Sequence, residues 1–210
     1  MLRASTTRFL LIRHGNTDAV GRFHSGRAPG LHLNAEGRAD VERLTATLHA
    51  IPLVAIVSSP LERARETADP IARDHRLEVQ IDPAFIEIET GDWTGVSFAE
   101  LMPADEWRRY NTARALTRPP GGELLIDVQR RAIDALLQWR ARYPSGNVVV
   151  VAHGDVIRSS LQYFLGMPID YVLRFEISPA AISIVELGDA LTRVLQVNAD
   201  SAPRALSISA

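Results

Sequence analysis

Three short apolar runs constrain most strongly what this chain can fold into: residues 9–12, 53–57 and 148–152, all rich in Leu, Ile and Val. Apolar runs of this length and composition are the pattern of strands buried on both faces. Each is followed by a small or polar turn and then by a segment with helical spacing. The first leads to a helix expected over 35–50, with Asn34 placed to cap its free amides. The second leads to residues 61–75, where positions 61, 64, 68, 71 and 72 are apolar. After the third, Val156, Ile157, Leu161 and Leu165 keep a helical period until Gly166 and Pro168 end it.

Strand followed by helix, repeated, predicts an α/β fold: a three-layer sandwich with a mostly parallel central sheet and helices on both faces. Residues 182–187 and 193–197 read as a closing hairpin around Gly188-Asp189, and residues 199–210 as a loose tail. Between the second helix and the third strand, residues 82–123 interrupt the alternation. That stretch holds Trp93 and Trp107, a short helix expected over 98–110, and the turn Pro119-Pro120-Gly121-Gly122. It reads as a small cap insertion over a site. Residues 1–210 are expected to form one domain.

Composition removes several function classes. A net charge of −2 exerts no general pull on nucleic acid or membrane surfaces, so a bound anion must be held by a few placed cations. The absence of cysteine excludes disulfides, thiolate catalysis and zinc–cysteine sites. No apolar run approaches the roughly 18 residues of a membrane span. The opening MLRASTTRFLLIRHG runs from a short apolar stretch into charge, which reads as a strand and not as a signal peptide. A cytoplasmic location is the expectation.

In parallel α/β sheets, ligands sit beyond the carboxyl ends of the strands. Arg13-His14-Gly15, Ser58-Ser59-Pro60 with Arg63, and His153-Gly154 all fall at such ends and are placed to converge. A histidine nucleophile needs a free, neutral ring nitrogen with cations close by to hold phosphoryl oxygens. Gly15 lets the backbone approach a ligand, and Arg63 in a first helical turn can offer a bidentate guanidinium. Taken singly, each has a plainer reading: a structural histidine, a solvated arginine, an exposed carboxylate at Glu87. The joint pattern of two His-Gly pairs and an arginine at three strand ends is what points to a site.

Leu11-Ile12-Arg13-His14-Gly15-Asn16-Thr17 resembles the signature of the histidine phosphatase superfamily, phosphoglycerate mutase-like branch. The segment from Ser58 to Ala68 (SSPLERARETA) is similar to its second motif, and Glu87-Ile88-Glu89-Thr90-Gly91-Asp92-Trp93-Thr94-Gly95 to its acid-bearing segment. Pro120-Gly121-Gly122-Glu123 resembles the loop that follows, and Ala152-His153-Gly154 the final motif. The matches keep the family's order over about residues 8–165. The resemblance implies that His14 becomes a phosphohistidine which water then hydrolyses. It implies that Glu87 protonates the leaving oxygen, and that Arg13, Arg63 and His153 bind the phosphoryl oxygens and stabilise charge. Asn16 and Gly154 are implied at the phosphate, and Thr17, Ser25 and Gly26 at the substrate. No metal and no cofactor is implied. Glu89, the rival acid, stands two residues from Gly91 where the pattern asks for four. The neighbours Phe85, Ile86 and Ile88 favour a raised pKa at Glu87 if they exclude water.

Two positions depart from the family pattern, and two arginines stand beside a pair that keeps it. The asparagine common about six residues after the nucleophile is replaced in the stretch Asp18-Ala19-Val20, leaving Asn16 or His24 as substitutes, or no contact at all. Gly122-Glu123-Leu124 stands for the usual Gly-Glu-Ser and loses a hydroxyl. Arg22 and Arg27 flank Ser25-Gly26, where they either read a second anionic group or belong to a solvated loop.

Hydrolysis is favoured over the mutase reaction. The chain has Asn16-Thr17-Asp18 after its Arg-His-Gly and a short cap without lysine, and an open pocket loses its phosphoryl group to water. A non-catalytic anion-binding module on the same fold is the third reading. The expected partner is a small phosphorylated metabolite, with sugar phosphates, phosphoglycerates and nucleotide-like phosphates such as ribazole phosphate all open. Trp93, Trp107, Tyr110 and Arg108-Arg109 are candidates to contact its other end. No nucleic acid or membrane is expected, and a homodimer through an exposed sheet edge is compatible with the pattern.

Overall fold

Successive side chains of a strand face opposite sides of a sheet, so a run of apolar residues feeds two cores at once. In the computed structural model, which describes residues 5–200, β1 (Thr6–Arg13) does this. Phe9 and Leu11 enter one core, Leu10 and Ile12 the other. The elements that follow are α1 (Ala35–Leu48), β2 (Leu53–Ser58), α2 (Glu62–His75), β3 (Val79–Ile81), α3 (Phe98–Leu101) and α4 (Asp105–Thr112). Then come α5 (Leu125–Arg142), β4 (Gly146–Ala152), α6 (Gly154–Leu165), β5 (Ile182–Gly188) and β6 (Thr192–Ala199).

Among the described residues, six strands form one sheet in the order β3-β2-β4-β1-β5-β6. The first four are mutually parallel, and β5 runs antiparallel between β1 and β6. Leu44 and Leu48 of α1, with Ala64, Ala68 and Ile71 of α2, cover one face; α5 and α6 cover the other. This is the expected α/β sandwich with a mostly parallel sheet. Among the described residues no helix is long and apolar enough to cross a membrane.

Several boundaries differ from the sequence reading. The expected helix over 98–110 is two helices: Met102 is still helical, Pro103 has no amide to continue the ladder, and Ala104 turns to extended backbone before the second begins. Ser97 starts the first of them through a reciprocal capping box with Glu100. The longest helix, α5, lies where the sequence reading places no element. Leu124 at its start offers no side-chain cap, so the usual start signal is missing. The first helix stops at Leu48, two residues early, with Asn34 accepting from the Gly37 amide at 2.8 Å. Residue 199 of the expected tail closes β6, and residues 201–210 lie outside the described residues.

The turn after β1 is held from three sides. The Gly15 amide donates to Thr67 Oγ1 at 2.9 Å, and the Ala180 amide donates to the Arg13 carbonyl at 3.0 Å. From the third side, α1 presses on Asn16 through Gly37, where an added Cβ would lie 2.1 Å from the Asn16 carbonyl oxygen. Gly37→Ala is therefore expected to destabilise the protein by about 1–3 kcal/mol. Its melting temperature should fall by several degrees as the turn shifts. An unchanged melting curve would show that the turn yields freely.

Candidate active site

The carboxyl ends of the parallel strands open into a cavity of about 280 Å3. Arg13 ends β1, and its Nη1 donates to the Ile177 carbonyl at 2.7 Å. The next residue, His14, is buried with its Nδ1 2.8 Å from the Gly15 carbonyl oxygen. A carbonyl oxygen only accepts, so Nδ1 carries the proton and Nε2 keeps its lone pair. Arg63, fully buried in the first turn of α2, donates from Nε to that Nε2 at 3.3 Å. Its Nη2 donates to the Gly26 carbonyl at 2.8 Å. His153 follows β4 and precedes α6; its ring centroid is 5.2 Å from that of His14, and its Nε2 is 2.7 Å from Ser59 Oγ.

The electrostatics follow from burial and close positive charge. Desolvation, then Arg13 and Arg63, hold His14 well below the ordinary imidazole range, against the pull of the Gly15 carbonyl. His153 is lowered in the same way by burial, Arg63, His14 and Arg13. Both rings are neutral at pH 7. Glu87 has the opposite shift: burial and the repulsion of Asp155 raise its pKa, while the Ile88 amide, Arg63 and Arg13 oppose the rise. Its Oε1 accepts from that amide at 2.9 Å. Three buried nitrogens of the residues around His14 have no hydrogen-bond partner among the described residues: Arg13 Nε, Arg63 Nη1 and His153 Nδ1. Buried donors are rarely left unpaired, and this set of donors suits a tetrahedral oxyanion beside Nε2. The start of α6 at Gly154, on the cavity wall, adds the positive end of a helix dipole.

The structure brings most of the candidate residues together. Arg13, His14, Ser25, Gly26, Glu87 and Gly154 line the cavity, with Arg63 and His153 against His14. Two candidates lie elsewhere. The Asn16 amide donates to Glu36 at 2.7 Å, at the start of α1, so this arrangement does not support a phosphate contact for it. Thr17 is buried outside the cavity lining, its carbonyl accepting from Val20. Of the two substitutes considered for the missing asparagine, His24 is the one on the cavity wall, beside Val20. Arg27 does not read a second anion: its guanidinium holds the Glu87 carbonyl and the Glu123 carboxylate, each at 2.8 Å. Together with Arg131, which donates to the same Glu87 carbonyl at 3.3 Å, it fixes the segment that carries Glu87.

Sequence reasoning missed Ser59 as the partner of His153, Thr67 behind Gly15, and the buried set Arg114, Asp155 and Arg158. Arg114 Nη1 lies 2.8 Å from Asp155, and Arg158 Nη2 lies 2.8 Å from Glu176. Asp155 follows the second His-Gly pair directly, which was a signal within reach. Arg114 carried none, because its pairing depends on where the cap lands.

The sequence pattern of the histidine phosphatase superfamily (branch 1) matches residues 9–200. The chain is 36% identical over 202 residues to the bifunctional protein Rv2228c of Mycobacterium tuberculosis, covering 93% of this chain and 55% of that protein. It thus spans about half the length of that relative. With the adenosylcobalamin/alpha-ribazole phosphatase of Escherichia coli it shares 29% identity over 197 residues, covering 91% and 97% of the two chains. Among solved structures, YhfR of Bacillus stearothermophilus superposes with a TM-score of 0.86 at 29% identity, covering 92% and 97%. With the family pattern matched from the first strand to the last, and the motif residues gathered at one cavity, the chain belongs to the histidine phosphatase superfamily, branch 1.

Proposed function

We propose that this protein is a phosphomonoesterase that hydrolyses a small phosphorylated metabolite through a phosphohistidine on His14. The observation that carries the reading is a neutral, buried His14 whose unprotonated Nε2 faces Arg63 Nε, beside Arg13, Arg63 and His153 that each keep a buried nitrogen unpartnered. Nε2 attacks phosphorus as the ester P–O bond breaks, and Glu87 gives its proton to the leaving oxygen. The Nδ1–H bond to the Gly15 carbonyl stabilises the positive charge that the ring gains on phosphorylation. The two arginines and His153 hold the equatorial oxygens through the transition state. Glu87, now ionised, takes a proton from water as that water attacks phosphorus and the P–N bond breaks, which releases inorganic phosphate. None of these steps requires a metal ion.

The reading is tested by measuring phosphate release from a broad panel of phosphomonoesters with EDTA present, and by acid-quench trapping of protein-bound radiolabelled phosphate. Expected are EDTA-insensitive release and an acid-labile label. Isomerisation of 3-phosphoglycerate without phosphate release would instead establish a mutase. No turnover and no label across the panel would establish an anion-binding module.

A further inference from the structure

The half of the cavity away from His14 has its own chemistry. One wall is aromatic. His24 lies with its ring centroid 5.4 Å from that of Trp107 and 5.9 Å from that of Phe98, and those two are 6.0 Å apart. The wall is stiff, because Trp107 packs edge-on against Trp93, centroids 5.4 Å apart, within the cap's own apolar cluster. The loop carrying His24 is tied to the cap by the His24 amide on the Val96 carbonyl at 2.9 Å and the Gly95 amide on the His24 carbonyl at 2.8 Å.

The opposite wall is polar, and its charges are already paired. Burial alone would raise the Asp155 carboxyl, yet Arg114 and Arg158 overcome that and keep it ionised. Arg114 in turn gives Nη1 to Asp155 and Nη2 to Asn111 Oδ1, each at 2.8 Å. Arg158 bonds Glu176 at 2.8 Å and the Phe175 carbonyl at 3.3 Å. A second anionic group on the substrate would find Arg114 and Arg158 already paired with carboxylates, although Arg114 Nε has no partner among the described residues, and would face Asp155 and Glu87. A cationic group would meet a carboxylate that two arginines already neutralise. The cavity volume, about 280 Å3, is below the range of drug-sized sites and leaves room for a phosphoryl group and about one ring.

We propose that the leaving group is an uncharged alcohol bearing one ring, which lies against His24, Phe98 and Trp107. Substrates with a carboxylate or a second phosphate are selected against by the paired arginines. This inference rests on the phosphatase reading above and names the substrate class of that site.

The test compares kcat/KM for five alkyl phosphates, so that leaving-group acidity does not decide the order: benzyl phosphate, glucose 6-phosphate, glycerol 1-phosphate, 3-phosphoglycerate and phosphocholine. At least one of the two ring esters should exceed all three acyclic ones by about tenfold or more, the scale of apolar-pocket discrimination. Trp107→Ala should lower kcat/KM for that ring ester about tenfold more than for glycerol 1-phosphate. Should that variant lose the cap, Leu173→Arg provides an independent check. Leu173 lines the cavity and is half exposed, so an arginine there adds an unpaired cation. The ratio of 3-phosphoglycerate to ring-ester turnover should then rise about tenfold. The inference is overturned if 3-phosphoglycerate or phosphocholine matches the ring esters in the unmodified enzyme, or if Leu173→Arg leaves the ratio unchanged. Release from every ester at one rate would also overturn it while leaving the phosphatase reading intact. Release from none would remove both.

Discussion

His14→Ala is expected to lose phosphate release by about 10^4-fold or more, the scale reached when a covalent nucleophile is removed. The radiolabel trapped by acid quench should vanish with it. The loss should be chemical and not a failure of folding or binding. Arg13 keeps its bond to the Ile177 carbonyl, and Arg63 keeps its bond to the Gly26 carbonyl, so the anion-holding groups stay where they are. Inorganic phosphate should therefore still bind the variant in a calorimetric titration, and its melting temperature should stay near that of the unmodified chain. Residual activity above about a hundredth, with label still trapped, would move the nucleophile elsewhere.

Glu87→Gln carries the second large effect, a loss of about 10^2–10^4-fold, the usual contribution of a general acid. The loss should depend on the leaving group. An alkoxide needs a proton as it departs, whereas nitrophenolate leaves without one, so p-nitrophenyl phosphate should be affected much less than an alkyl phosphate. The pH profile supplies a second readout. Burial and Asp155 raise the Glu87 pKa, so the protonated acid persists above the ordinary carboxylate range and kcat/KM falls as pH rises through the raised value. His14 is shifted the other way and stays neutral well into acid, so the acidic limb lies below the usual histidine range. Glu87→Gln should abolish the alkaline limb and leave the acidic one. An equal loss on both ester types, with the alkaline limb intact, would exclude Glu87 as the acid.

Asn16 and Arg27 are drawn away from the cavity for one reason. Asn16 follows the turn at His14 and Arg27 follows Gly26, so spacing puts both within reach of a phosphate. Each instead has a closer partner from a distant part of the chain: Glu36 for Asn16, and Glu123 with the Glu87 carbonyl for Arg27. Hydrogen bonding is decided by which group arrives at about 2.8 Å, and spacing along the chain does not reveal that. The break at Pro103 was legible, since proline has no amide to donate within a helix. The start of α5 was not, because no side chain caps it.

What the sequence determined by itself was the sheet and the place of His14 at its strand ends. Runs of branched apolar residues can only be buried on both faces, and burying them puts Arg13-His14 and His153-Gly154 at the same end of adjacent strands, with Arg63 in the helix that follows a third. Tertiary structure alone decided the protonation states and the far side of the cavity. The unprotonated ring nitrogen of His14 faces Arg63 Nε from another element, and the raised pKa of Glu87 depends first on its burial and then on Asp155, sixty-eight positions away in the chain. The cap's rings and the pairing of Arg114 with Asp155 likewise exist only once distant segments are packed together. Apolar periodicity is a local property of the chain; desolvation and charge pairing are properties of the fold.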